Sequence, residues 1–270
     1  MVISTKGDRV LDKSLPEIGG KGLFTQELES ALINKTVDVA VHSAKDLPTS
    51  DPEGLCIAAF LKRERPSDCL VSPLTSSYAS IEELPVGVTI GTSSLRRQAQ
   101  ILNLRPDLRV KSIRGNVDTR INKMLKGDAD ALMLASAGVI RLGYDTRSDI
   151  HIEHLNEESF LPAVGQGSVA IQCRLEDSEF FEILRDKPTQ KRVLAERELL
   201  RRLEGGCSLP LGVRSQYLDE NKVFLHAKLL SPDGSKSVEA YGEGANLDSV
   251  DQLLSKMNQL QLSEIRKLIR

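Results

Sequence analysis

The sequence predicts an α/β protein with two doubly wound units and a small C-terminal α+β unit. Three observations predict it. A strand–turn–helix pattern recurs between Val86 and Leu142, a glycine-rich loop leads into a further apolar strand, and the last third alternates apolar and polar residues around Ser231-Pro-Asp-Gly234. Strands that alternate with helices imply parallel sheets covered on both faces, and Pro-Asp-Gly is strong turn chemistry. At 270 residues there is chain enough for two or three cores.

In chain order, Met1–Asp8 reads as the end of a strand entering a loop. Gly19-Gly-Lys-Gly22 opens a helical pattern over Leu23–Ile33. Val37–Val41 alternates as a short strand, with His42–Pro48 as the turn at its carboxyl end. Leu55–Leu61 is a second strand, and Lys62–Pro66 a crossover between units. The repeated units follow: strand Val86–Ile90, turn Gly91–Ser94 and helix Leu95–Leu104; strand Leu108–Ile113, turn Arg114–Asn116 and helix Val117–Leu125; strand Ala131–Leu134, turn Ala135–Gly138 and a helix beginning at Val139. Leu161–Gly167 is a glycine-rich loop before strand Val169–Cys173. Helix Thr189–Leu203 precedes a meander of Gly212–Tyr217, Val223–Leu230 and Ser237–Tyr241, and two helical patterns close the chain.

Composition excludes several function classes. Thirty-six basic residues are offset by 38 acidic ones, a formal charge of -2 that argues against a nucleic-acid footprint. No apolar run is long enough to span a bilayer, and no signal-peptide pattern opens the chain. Cys56, Cys69, Cys173 and Cys207 lack metal-ligand spacing, so no metal site is expected, and in a reducing compartment they are free thiols.

Three constellations could carry chemistry. Arg96 and Arg97 occupy the first turn of a helix that starts at Thr92-Ser-Ser94, where free N–H groups and the helix dipole already favour an anion. Two arginines there cost stability unless an anion compensates them. Arg114, Arg120 and Arg141 recur at or near the turns of the following units, and arginine's fork suits planar carboxylates. A solvated basic face is the competing reading, weakened because open α/β sheets bind ligands beyond these strand ends. His42-Ser-Ala-Lys-Asp46 is the second constellation: Asp46 among cations would stay ionised and could stabilise a cation or move a proton. Spacing alone favours a plain Lys45–Asp46 surface pair. Cys207, between Gly205-Gly206 and Ser208, is the third; a nucleophile or attachment point competes with an ordinary free thiol, which generic expectation favours.

Six motifs stand in one order: Gly-Gly-Lys-Gly-Leu-Phe24, His-Ser-Ala-Lys-Asp-Leu-Pro48, Gly-Thr-Ser-Ser-Leu-Arg-Arg-Gln98, Arg-Gly-Asn116, Leu-Pro-Ala-Val-Gly-Gln-Gly167 and Leu-Glu-Gly-Gly-Cys207. Together they resemble the porphobilinogen deaminase (hydroxymethylbilane synthase) family, from about Thr5 until the likeness fades after Tyr217. The resemblance implies periplasmic-binding-protein-like domains facing each other across a cleft: domain 1 over 1–62 and 163–184, domain 2 over 63–162, and a C-terminal domain over 185–270. It implies a transferase that condenses porphobilinogen, with loss of ammonia, into a linear tetrapyrrole for haem and related pathways. It further implies a dipyrromethane cofactor in thioether linkage to Cys207 and assistance of ammonia loss by Asp46. Arg96, Arg97, Arg114, Arg120 and Arg141 match the family's carboxylate binders, and Ser43, Lys45, Thr92 and Ser94 neighbouring polar contacts. Lys21 and Phe24 match a loop over the active site. A cytoplasmic monomer is expected, with a plastid or other organelle as the alternative, and neither nucleic acid nor membrane as partner.

Two departures accompany the resemblance. The family starts with a strand and helix bearing an Arg-x-Ser motif, and this chain begins after them, so the alternative is an impaired form that binds the pyrrole cofactor or another polycarboxylate without turnover. Glu17 stands where relatives often carry lysine.

Overall fold

The structure, a computed structural model, describes residues 2–3, 5, 22, 25–76, 78, 80–204, 209–245, 247–260 and 262–269. Glu17, Lys21, Phe24, Cys207 and most of the expected N-terminal strand lie outside the described residues. The described strands form three sheets.

In the first sheet, β1 (Ala40–Ser43) and β2 (Leu55–Phe60) flank β8 (Val169–Arg174), in the order β1-β8-β2. Both pairings are antiparallel, so the late strand is inserted between two early ones. Helix α1 (Gln26–Ile33) covers this sheet by burying Leu32 with Ala40 and Leu55.

The second sheet has the order β5-β4-β6-β3-β7, built from β3 (Asp68–Pro73), β4 (Thr89–Gly91), β5 (Arg109–Lys111), β6 (Ala131–Ala135) and β7 (Ile150–His154). Its crossover helices are α2 (Leu95–Leu104) and α3 (Val117–Leu125), and α4 (Ser136–Arg141) follows β6. Two helix starts are fixed by side-chain caps. Ser94 accepts the Arg97 amide at 3.4 Å and Asn116 the Thr119 amide at 2.9 Å, each satisfying an otherwise orphaned N–H. Leu70, Ile90, Ala131 and Met133 fill one face of the sheet; Val71, Ile121, Leu132 and Leu134 fill the other.

The C-terminal sheet is the antiparallel meander β9 (Leu211–Tyr217), β10 (Lys222–Leu230) and β11 (Ser237–Ala245). A short helix α5 (Ser178–Phe181) precedes α6 (Lys187–Arg202), whose start combines the Asp186 cap with a proline in the first turn. With α7 (Asp248–Gln259) and α8 (Leu262–Ile269), α6 closes the core around Leu199, Leu225, Leu229 and Leu253.

The parallel arrangement expected for these sheets holds for β5-β4-β6 only. β3 and β7 join antiparallel, and the expectation contained neither. β3 follows the charged crossover directly and is buried on both faces from Asp68 to Ser72, so no alternation marks it; Ile150 and Ile152 of β7 do alternate and were legible. The first strand lies later than expected, so His42 and Ser43 belong to β1 rather than to a turn. Val86 is solvent-exposed, and its strand starts only at Thr89. Ala135–Gly138 is not a turn, because β6 passes directly into α4 at Ser136.

The crossovers meet at two buried polar clusters. Arg63 forms a bidentate pair with Glu196 of α6 at 2.5 and 3.1 Å and donates to the Gln166 carbonyl at 2.9 Å. Glu196 also accepts the Gly165 amide at 2.7 Å, which ties the glycine loop to the C-terminal domain. Gly167 has φ +86°, and a Cβ there would stand 2.4 Å from the Glu64 carbonyl oxygen, so only glycine lets the two crossover strands lie this close.

Candidate active site

Where the first and second sheets face each other, a cavity of about 270 Å³ is lined by Ser43, Lys45 and Asp46 from the first sheet and by Arg97, Asn116, Arg120 and Arg141 from the second. The loop Gly165–Ser168 completes the wall. The first three residues reach it because β1 ends at Ser43 and a single 3-10 turn, Ala44–Asp46, follows; the Ala44 amide is held by the Ser168 carbonyl at 3.0 Å. The second set comes from helix starts after β4 and β5 and from α4. This is the carboxyl end of the parallel strands, where α/β sheets bind ligands.

Asp46 is the sole acidic group among the described lining residues, against Lys45, Arg97, Arg120 and Arg141. Burial lowers the Lys45 ammonium pKa; Asp46 opposes that, and Arg97 reinforces it. Burial also lowers Arg120, to about 10, helped by the like charges of Arg97 and Arg114, so it stays cationic at neutral pH. Its Nε donates to the Gly115 carbonyl at 2.6 Å, and an Arg141 Nη donates to the Gly167 carbonyl at 2.8 Å. Carbonyl contacts orient both guanidiniums without neutralising them, leaving N–H groups for an anion.

The helix-start arginines divide. Both are buried, and both grip Asp68 at the start of β3. Arg96 makes contacts of 2.6 and 3.1 Å to the two carboxylate oxygens and one of 2.7 Å to the Leu161 carbonyl. Arg97 approaches one carboxylate oxygen with Nε at 3.0 Å and Nη2 at 2.8 Å, and donates to the Met133 carbonyl at 2.8 Å. Arg97 lines the cavity, whereas Arg96 stands behind it. The anion demanded by two arginines at a helix start is therefore provided first by the protein itself. Thr92, Ser94 and Arg114 also lie outside the cavity wall: the Thr92 hydroxyl accepts the Ser94 amide at 3.2 Å, and Ser94 is spent as the cap of α2.

Asp68 and Gln166 were missed by sequence reasoning. Gln166 donates to the Pro66 carbonyl at 2.6 Å and to Asp68 at 3.0 Å, and so locks the loop onto the arginine cluster. Burial would raise the Asp68 pKa, but Arg96 and Arg97 reverse this and bring it down to about 2. A carboxyl whose pKa falls on folding contributes stability above its unfolded value, and that stability is lost as pH falls through the folded one. Between the ordinary 3.8 and about 2, protonation of Asp68 should thus unfold the protein progressively. Urea melts across that window should show a shallower pH slope for Asp68→Asn than for the parent; equal slopes would remove Asp68 from acid unfolding.

Two buried acceptors in the cavity wall have no protein partner: the Ser168 hydroxyl and the Gln166 side-chain oxygen. Together with the cations they suit a flat ligand carrying both carboxylates and N–H donors. Among the described residues no cluster could hold a metal ion, and no helix is long and apolar enough to cross a membrane.

Residues 1–182 match the family model described as porphobilinogen deaminase, dipyromethane cofactor binding domain, and residues 190–258 match porphobilinogen deaminase, C-terminal domain. The porphobilinogen deaminase of Carboxydothermus hydrogenoformans is 47% identical, over 99% of this chain and 87% of the relative. That of Bacillus cereus (strain AH187) is 45% identical, over 94% of this chain and 83% of the relative. Among solved structures, the periplasmic aliphatic sulphonate binding protein SsuA from Escherichia coli matches with a TM-score of 0.39 and 12% identity, over 66% of this chain and 57% of that one.

Proposed function

The chain belongs to the porphobilinogen deaminase family, and from that premise we propose how its own residues divide the work. The enzyme is a transferase that condenses porphobilinogen, with release of ammonia, into the linear tetrapyrrole hydroxymethylbilane for porphyrin and haem biosynthesis. The comparisons do not favour the alternative of an impaired, binding-only form.

The observation that carries the proposal is one carboxylate, Asp46, among four cations in one cavity. Arg97, Arg120, Arg141 and Lys45 bind the acetate and propionate arms, with the arginines forking onto carboxylates. Each added pyrrole brings further carboxylates, so the excess of cations over acidic groups in the cavity lining favours retention of the growing chain. Asp46 then stabilises the cation left on the substrate as ammonia departs, and it can take or return a proton there. The dipyrromethane cofactor supplies the primer from which the chain grows. The charged wall and the free acceptors of Ser168 and Gln166 fit it, and Cys207 is its thioether anchor in this reading. Ser43 contacts the ligand from the first sheet. Arg96, Thr92 and Ser94 position Arg97 and the start of α2, and Arg114 adds positive charge beside Arg120. Lys21 and Phe24 are further candidates for substrate contact in this reading.

The domain partition proposed is 1–62 with 163–184, then 63–162, then 185–270; the insertion of β8 between β1 and β2 supports the discontinuity of the first. The reading includes a cytoplasmic monomer that takes a small molecule and does not engage a membrane, and the balanced charge argues against nucleic acid as a partner.

Intact mass and product formation test the proposal together. Protein made in a haem-synthesising host should be heavier than its sequence by a covalent dipyrrole, an increment absent from Cys207→Ala, and should convert porphobilinogen to hydroxymethylbilane. A parent at bare-chain mass would overturn the anchor, and an inactive protein carrying the dipyrrole would favour the binding-only form instead.

A further inference from the structure

We propose that Cys56 and Cys173 form a dithiol that hydrogen peroxide closes reversibly to a disulfide, a modification site separate from the catalytic cavity. The two cysteines are paired directly across neighbouring antiparallel strands, Cys56 in β2 and Cys173 in β8. Facing residues in such a pair have Cα atoms about 4.5–5.5 Å apart and side chains on the same face, inside the range a disulfide spans. Cβ atoms need a slight approach to close the bond. The register shift between Ile57 and Ala59, beside Cys56, gives β2 the local irregularity to provide it.

Both thiols are free and directly opposed across the two strands. Cys56 is half-buried and Cys173 fully buried, so an oxidant reaches Cys56 first. Burial raises both pKa values, Cys173 to about 12, and nearby Asp51, Asp177 and Glu182 add to this. The site is therefore slow at rest and responds to sustained oxidant rather than to ambient traces. Neither cysteine lines the cavity, which borders the opposite end of β8 at Ser168. Cys69 has no such partner placement: its thiol faces the Leu134 carbonyl at 3.7 Å on another sheet.

The chemistry balances with one peroxide per site. The Cys56 thiolate attacks a peroxide oxygen; the S–O bond forms, the O–O bond breaks, and with the thiol proton the first water leaves. Cys173 sulfur then attacks the sulfenic sulfur; the S–S bond forms, the S–O bond breaks, and the Cys173 proton leaves with the hydroxide as the second water. The sulfurs lose two electrons and the peroxide gains them. The product ties the strand leaving the first sheet to the strand returning to it, so the whole second sheet lies inside the closed loop and the unfolded chain is strongly constrained.

The test is treatment of the holoenzyme with hydrogen peroxide, followed by peptide mapping without reductant. The expected result is a linked Cys56–Cys173 peptide, loss of both free thiols, a melting temperature several degrees higher, and return of all three to the starting state with dithiothreitol. Cys56→Ala should show no peroxide-dependent stabilisation. A map with no Cys56–Cys173 peptide, whether the oxidant leaves a sulfinic acid, links other cysteines or leaves both thiols intact, overturns the proposal, and this readout needs no variant to fold.

Discussion

Asp46→Asn should turn porphobilinogen over about 10²–10⁴-fold more slowly than the parent while folding as it does. The carboxylate lies on the 3-10 turn after β1, half-exposed and free of any core packing role, and the turn is anchored through the Ala44 amide rather than through Asp46. An amide of the same shape therefore leaves the backbone in place, and the stability change should stay within about 0.5 kcal/mol. What disappears is the single negative charge among four cations. A cation forming in the cavity would then meet Lys45, Arg97, Arg120 and Arg141 with no acidic side chain left in the lining. Ligand capture should survive, because carboxylate binding rests on those cations, so the loss should appear in kcat rather than KM. Lys45 supplies a second readout: Asp46 is the largest influence holding its pKa up against burial, so Lys45 should deprotonate at lower pH in the variant. Turnover equal to the parent's, in protein carrying the covalent dipyrrole, would remove Asp46 from the chemistry.

The contrast between Asp46 and Asp68 explains what the sequence made legible. Asp46 could be placed because it closes a short alternating segment, and chemistry at the end of a strand in an α/β fold collects in the cleft. Arg97, Arg120 and Arg141 were legible for the same reason, each following a recognisable strand. Asp68 was not, because its partners lie far along the chain and its own strand, β3, is buried on both faces and so shows no alternation. The argument that two arginines at a helix start require an anion was physically sound. Local sequence could not say that the protein supplies one, nor that neighbouring residues on α2 would part company, Arg97 toward the cavity and Arg96 away from it. Similarly, alternation of strands and helices located β4, β5 and β6, while the antiparallel additions β3 and β7 came with no crossover helix to announce them.

Removal of the Asp68 side chain should produce the largest stability loss of any single cleft substitution. Asp68→Ala leaves two buried guanidiniums without their counter-charge, and uncompensated buried charge costs on the order of 3–5 kcal/mol. For a chain of this size that is a fall in Tm of roughly 5–9 °C. The carboxylate is also shared with Gln166, so the loop Gly165–Ser168 loses one of its ties to the second sheet. Asp68→Asn keeps an acceptor but not the charge, and should fall between parent and alanine variant. The two consequences separate in kinetics. Arg97 is aimed by Asp68 and by the Met133 carbonyl, so a folded Asp68→Asn protein should bind the cofactor and the growing chain less tightly, an effect that a purely structural carboxylate would not have. Arg96→Met provides the control: it removes the arginine that does not line the cavity, leaving Arg97 paired with Asp68. If Asp68→Asn and Arg96→Met weaken substrate retention equally at matched stability, Asp68 merely holds the fold; a greater loss in Asp68→Asn marks it as the residue that orients Arg97.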